Sequence, residues 1–206
     1  MNVQGILELL SSMSRRIEEE KEFLTELDNA IADGDHGINM AKGFAAVDAK
    51  LPGMSDKDIG SILKVVGMTL VSAVGGSAGP LYGTAFMKAG AVVAGKYDVD
   101  ISDFLSCMKA AIDGVMMRGR ATQGEKTMLD SMIPALQAME SAYADGLSVK
   151  ETLEAGVAAA NSGVEYTKTI IATKGRASYI GERSLGHQDP GATSFTDLLD
   201  VIAKAV

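Results

Sequence analysis

Ile6, Leu9, Leu10, Met13 and Ile17 recur at the spacing of one helix face, and the same period returns in nearly every segment of the 206-residue chain. Phe23, Leu24, Leu27, Ala30 and Ile31 carry that first pattern onward until Gly34 and Gly37 stop it. A helix is then predicted from about Asn39 to Lys50, ended by Leu51-Pro52-Gly53. Further helices are expected from Ser55 or Asp56 to Val74, from Pro80 or Leu81 to Gly95, and from Asp100 or Ser102 to Arg118. Three more cover about Thr127–Tyr143, Ser148–Thr173 and Thr193 or Ser194 to Ala205, with Ser148 and Glu151 forming a capping box. No segment alternates in the manner of a strand. The expectation is an all-α single domain over 1–206, with eight antiparallel up-and-down helices forming a bundle or closed barrel. In such an array alternate junctions share an end, so the glycine-rich polar loops at 32–38, 75–80, 119–126 and 174–192 should meet on one rim.

Packing helices this closely suits the side chains available: no Trp, five Phe and five Tyr, but twelve Met. A net charge of -8 disfavours nucleic acid and anionic membrane as partners, so any phosphate must be bound locally, by backbone N–H groups, a few basic side chains or a cation. The single cysteine, Cys107, excludes an internal disulfide and a thiolate zinc cluster. The N-terminal segment lacks the order of a signal peptide, and no apolar run reads as a membrane span, so the cytoplasm is the expected compartment.

The strongest chemical signal is Asp28-x4-Asp33-Gly34-Asp35-His36-Gly37. Asp28 falls near the end of a helix, and Gly34 lets the following loop turn so that three carboxylates face one point. Like charges in that space repel unless a cation neutralises them, and hard oxygen donors suit Mg²⁺ or Mn²⁺ held together with phosphates. The plainer reading, solvated turn residues and a surface charge, stays open at this level. Calcium-loop spacing is absent, and a third carboxylate has no part in glycosidase chemistry. His36 is placed either to touch metal or phosphate or to hydrogen-bond within the loop, and Asn39 is either an N-cap or a phosphate contact.

Gly75-Gly-Ser-Ala-Gly-Pro80 has neither the lysine of a P-loop nor the strand of a dinucleotide fingerprint, yet it supplies N–H groups before a helix start. Arg118, Arg120 and Lys126 gather positive charge in the next loop, and Arg176 and Arg183 do so in the last, which ends in Asp189-Pro190-Gly191.

Taken together, Leu27-Asp-x4-Asp33-Gly-Asp35-His-Gly-x-Asn39, Gly75–Pro80, Gly124-Glu-Lys-Thr-Met128, Lys174–Tyr179 and Gly186–Thr193 resemble the L subunits of bacterial phosphoenolpyruvate-dependent dihydroxyacetone kinases. The likeness covers essentially the whole chain. It implies an eight-helix barrel with ADP or ATP at one rim and two Mg²⁺ held by Asp28, Asp33 and Asp35. His36, Gly37, Ile38, Asn39, Ser77 and Ala78 would contact the phosphates and nucleotide, and Gly119, Met128, Arg176, Asp189, Pro190 and Gly191 would complete the pocket. Arg176 and Lys126 would steady developing charge. The resemblance further implies a phosphocarrier M subunit that phosphorylates bound ADP and a K subunit that presents dihydroxyacetone, and it is compatible with a homodimer. The competing functions are a kinase domain using exchangeable ATP, a nucleotide-sensing regulatory protein and a purely structural bundle.

Overall fold

The computed structural model describes residues 1–206 and consists of nine α-helices, two 3₁₀ segments and no β-strand. In chain order these are α1 (Val3–Glu19), α2 (Lys21–Ile31), α3 (His36–Asp48), α4 (Ile59–Ala73), α5 (Ala78–Val92), α6 (Ile101–Gly119), α7 (Leu129–Ala144), α8 (Val149–Thr167) and α9 (Pro190–Lys204). The 3₁₀ segments lie at Leu51–Gly53 and Arg176–Ser184.

The first expected helix is divided at Glu20, whose ψ of 1° leaves the α-helical range. Apolar spacing hides the break, because Ile17, Leu24 and Ile31 all remain buried across it. α1 and α2 therefore act as one bent arm, and with it the chain forms the expected eight-membered up-and-down circuit. Each helix packs on its chain neighbour, and α9 returns to α1 to close the ring. Arg16 on α1 fastens that seam, its Nη2 lying 2.6 Å from Asp197 Oδ1 on α9.

Two other boundaries move. α8 ends at Thr167 rather than Thr173, where the Thr167 hydroxyl donates to Val164 O and accepts the Asp189 N–H. α9 starts at Pro190 rather than Thr193, since Asp189 caps it by accepting the Ala192 N–H at 2.7 Å and proline needs no donor at the first helical position.

Inside the ring, Leu10, Ile17, Met40, Phe44, Ile62, Leu70 and Met139 form part of one continuous core. Each such side chain contributes about 1.5–3 kcal/mol by leaving water. Phe44 and Phe86 meet edge to face at 6.4 Å between ring centres. An apolar cavity of about 170 Å³ remains within the ring. No helix is long and apolar enough to cross a membrane.

The two ends of the barrel differ. At one end the chain start, the α3–α4 connector and the α5–α6 connector are tied together: Val99 N–H donates to Met1 O at 3.0 Å, and Gly95 N–H donates to Asp58 Oδ1 at 2.9 Å. The α2–α3, α4–α5, α6–α7 and α8–α9 loops share the other end and enclose a cleft there, as the parity argument expects.

Candidate functional site

The cleft has a volume of about 470 Å³ and is lined from all four loops. Asp28, Asp33 and Asp35 each bring a carboxylate oxygen to within 4.8 Å of the others. Asp28 is buried, and its Oδ2 accepts the N–H groups of Asp35 at 2.8 Å and His36 at 3.2 Å. One carboxylate thus folds the loop back over the end of α2 and brings the other two alongside. Gly34 makes that fold possible at φ 71°, a left-handed backbone where an added Cβ would sit 1.9 Å from Asn29 Oδ1. Asp33 is the outermost member and pairs with Arg176 at 3.1 Å.

Helix starts supply the second element. Asp35 precedes α3 and Ser77 precedes α5, yet neither side chain caps its helix; Asp28 takes the His36 N–H, and the other first-turn N–H groups are left for another acceptor. These helices begin on the cleft beside the carboxylates. A divalent cation at the three oxygens and phosphate oxygens at the two helix starts are chemically matched, because the cation offsets the mutual repulsion of the carboxylates and the phosphates accept from N–H groups at the helix starts.

Below the triad runs a polar chain. His36 Nε2 shares a hydrogen bond of 2.9 Å with Ser194 Oγ, which in turn shares one of 2.7 Å with the Tyr82 hydroxyl. Burial lowers the His36 pKa to about 4, with Asp28 opposing the shift, so the imidazole is neutral at pH 7. Burial also pushes the Tyr82 phenol well above its usual range. Tyr82 and Met128 border both the cleft and the apolar cavity, forming the partition between them. Asp189 has its carboxyl raised to about 7, first by burial and then by Asp130 and Asp28, against the pull of the Ala192 N–H and Lys126.

Of the residues expected from sequence, Asp28, Asp33, Asp35, His36, Asn39, Ser77, Ala78, Gly119, Lys126, Met128, Arg176, Asp189, Pro190 and Gly191 all line this cleft. Gly37 and Ile38 do not. Gly37 is buried against α2, where a Cβ would lie 2.0 Å from Lys21 O, and Ile38 is 55% exposed on the outer face. They can face a ligand only through their backbone N–H groups. Arg183 and Arg120 also lie off the lining, whereas Arg118 and Lys174 are on it.

Lys126 corrects an expectation. Its ammonium is not presented to the cleft but donates to the carbonyls of Thr167, Ile170 and His187, so it is already occupied by protein. Sequence reasoning passed over Tyr82, Ser194, Thr127 and Asp130. The last is buried and accepts the N–H groups of Gly124 at 2.5 Å and Thr127 at 2.8 Å, shaping the α6–α7 loop.

The DAK2 domain profile matches residues 30–204. The chain is 46% identical over 186 residues to the PEP-dependent dihydroxyacetone kinase ADP-binding subunit DhaL of Escherichia coli K12, covering 90% of this chain and 89% of that one. It is 39% identical to the PTS-dependent dihydroxyacetone kinase ADP-binding subunit DhaL of Lactococcus lactis, covering 98% and 100%. The dihydroxyacetone kinase of C. freundii in complex with AMP-PNP and Mg²⁺ shares the fold, with a TM-score of 0.75 at 20% identity over 97% of this chain, which spans 33% of that kinase.

Proposed function

The chain belongs to the DAK2-domain family, and from that premise we propose that it is the nucleotide-holding phosphotransferase subunit of a phosphoenolpyruvate-dependent dihydroxyacetone kinase. The observation that carries the proposal is the cleft itself: three carboxylates within 4.8 Å of one another, facing two helix starts whose own N-cap side chains leave N–H groups beyond His36 and at Ala78 without a side-chain acceptor. Bringing three carboxylates together costs repulsion, and open N–H groups at helix starts add nothing by themselves. Each becomes favourable when a metal-bound polyphosphate is present.

In this account Asp28, Asp33 and Asp35 hold two Mg²⁺, with Asp28 also fixing the loop that carries the other two. The N–H groups at the start of α3 and of the Ser77–Ala78 turn, with Asn39, take the phosphates. Gly119, Met128, Pro190 and Gly191 supply the less polar walls for the rest of the nucleotide. His36, neutral and held by Ser194, offers a fixed dipole at the phosphate end. Arg176 stands beside Asp33, where its guanidinium can turn to charge developing on a transferring phosphoryl group. When bound, the nucleotide and its metal ions supply the relay, accepting a phosphoryl group from a phosphocarrier M subunit and donating it to dihydroxyacetone on a K subunit.

The identities of 46% and 39% to dedicated ADP-binding subunits support retained ADP over exchangeable ATP as the cofactor state. A cytoplasmic setting follows from the proposed partners. The test is Asp35→Asn in a transfer assay reconstituted with K and M subunits. We expect phosphoryl transfer to fall by about 100-fold or more, with the helical circular dichroism of the wild type retained. Transfer at the wild-type rate would overturn the assignment.

A further inference from the structure

The α8–α9 loop, residues 168–189, reaches over the cleft and delivers Arg176 to Asp33. Direct contacts at its neck are few: Gly186 N–H donates to Lys168 O at 2.8 Å, and Asp189 N–H donates to Thr167 Oγ1 at 2.9 Å. Between these two ends lies the Lys126 ammonium, which comes from a different loop. It donates to Thr167 O at the end of α8, to Ile170 O on the departing side of the loop and to His187 O on the returning side.

This arrangement is costly for the protein. Lys126 is 1% exposed, and no carboxylate lies within 4.0 Å of its ammonium, so its charge is compensated by carbonyl dipoles in place of an ion pair. Its backbone sits at φ 61°, a left-handed conformation that a lysine adopts rarely. Asp130 holds that conformation from both sides through Gly124 and Thr127. Glu125 adds a second tether, accepting the Thr173 N–H on its carbonyl and Lys174 on its carboxylate.

The geometry points to Lys126 as a positioning residue: its buried ammonium clamps the neck of the 168–189 loop and so sets Arg176 over the carboxylate triad, without touching phosphate itself. Three acceptors drawn from both ends of one loop are what a clamp requires, and an ammonium surrounded by them has no free donor face for a ligand. The inference rests on the proposed function only for what Arg176 acts upon. The clamp is made of protein groups alone, and that allows a separate test.

Hydrogen–deuterium exchange is measured by mass spectrometry on EDTA-treated, nucleotide-free wild type and Lys126→Met. Backbone amides of 168–189 should exchange about 10-fold faster in the variant, while those of α1 to α5 keep the wild-type rate. Unchanged exchange in the loop, or a uniform increase around the barrel, overturns the clamp. A second measurement needs no variant: in ¹⁵N-lysine-labelled wild type, the Lys126 ammonium should give a slowly exchanging signal without nucleotide that ADP and Mg²⁺ leave in place. A signal that emerges or shifts only on adding ADP and Mg²⁺ would make Lys126 a phosphate ligand and overturn the inference. Failure of the wild type to bind ADP would sink the functional proposal and leave the exchange result standing.

Discussion

Asp28 and Asp33 both belong to the carboxylate triad, but the structure gives them different second tasks, so their removal should separate stability from ligand binding. Asp28→Ala deletes an acceptor of two backbone N–H groups. Hydrogen bonds to a charged group contribute about 1.5–3 kcal/mol each, and the lower end applies where the freed donors can reach water in the cleft. Against that loss of about 3 kcal/mol stands relief of repulsion. Charges about 5 Å apart in a water-like medium repel by about 1 kcal/mol per pair. Asp28 has two such neighbours, so a net destabilisation of about 1 kcal/mol remains, or about 2–4 °C in Tm for a chain of this size. Asp33→Asn loses only an exposed pair with Arg176, worth about 0–1 kcal/mol, and is relieved of two repulsions of about 1 kcal/mol each, so its Tm should be at or slightly above wild type. Differential scanning calorimetry in EDTA reads this contrast. Repeated with Mg²⁺ and ADP at about 100 times the dissociation constant, the wild type should gain about 2.7 kcal/mol, and both variants should lose that gain. Equal Tm values for the two variants in EDTA, or a full ligand gain in either, would refute the division of roles.

Gly34→Ala places a side chain at φ 71° and against Asn29, at a strain of about 1–2 kcal/mol, so Tm should fall by a few degrees and Mg²⁺-dependent ADP binding should weaken in calorimetric titration. Asp189→Asn should expose a proton linkage. The wild-type carboxyl titrates near 7 when folded and near 3.8 when unfolded, so the folded state binds the extra proton between these values and the contribution of Asp189 to stability falls as pH rises through that window. The difference in Tm, variant minus wild type, should therefore rise from pH 4 to pH 7 and level off above it; a difference independent of pH in thermal melts would contradict the buried carboxyl.

Local patterns were the legible part. Helices announced themselves because each buries one face, and the parity of their junctions puts four polar loops on one rim, where the structure has them. The carboxylate triad was readable for the same reason: its members lie within eight residues and Gly34 lies between two of them. The break at Glu20 was not, since a backbone bend that keeps Ile17, Leu24 and Ile31 buried leaves no trace in hydrophobic spacing. Long-range partners were equally hidden. His36, Ser194 and Tyr82 form one chain of hydrogen bonds although Ser194 stands 158 residues from His36 and 112 from Tyr82. Lys126 misled because a positive charge in a glycine-rich loop suggests phosphate, whereas the carbonyls that capture it arrive from a loop 41 to 61 residues further on.

Native mass spectrometry of the purified protein, gently desalted with and without prior EDTA, tests the central claim most directly. The account predicts a mass excess equal to ADP plus two Mg²⁺ that disappears after EDTA and returns when both are added back. A bare chain that stays bare in the presence of ADP and Mg²⁺ would contradict it.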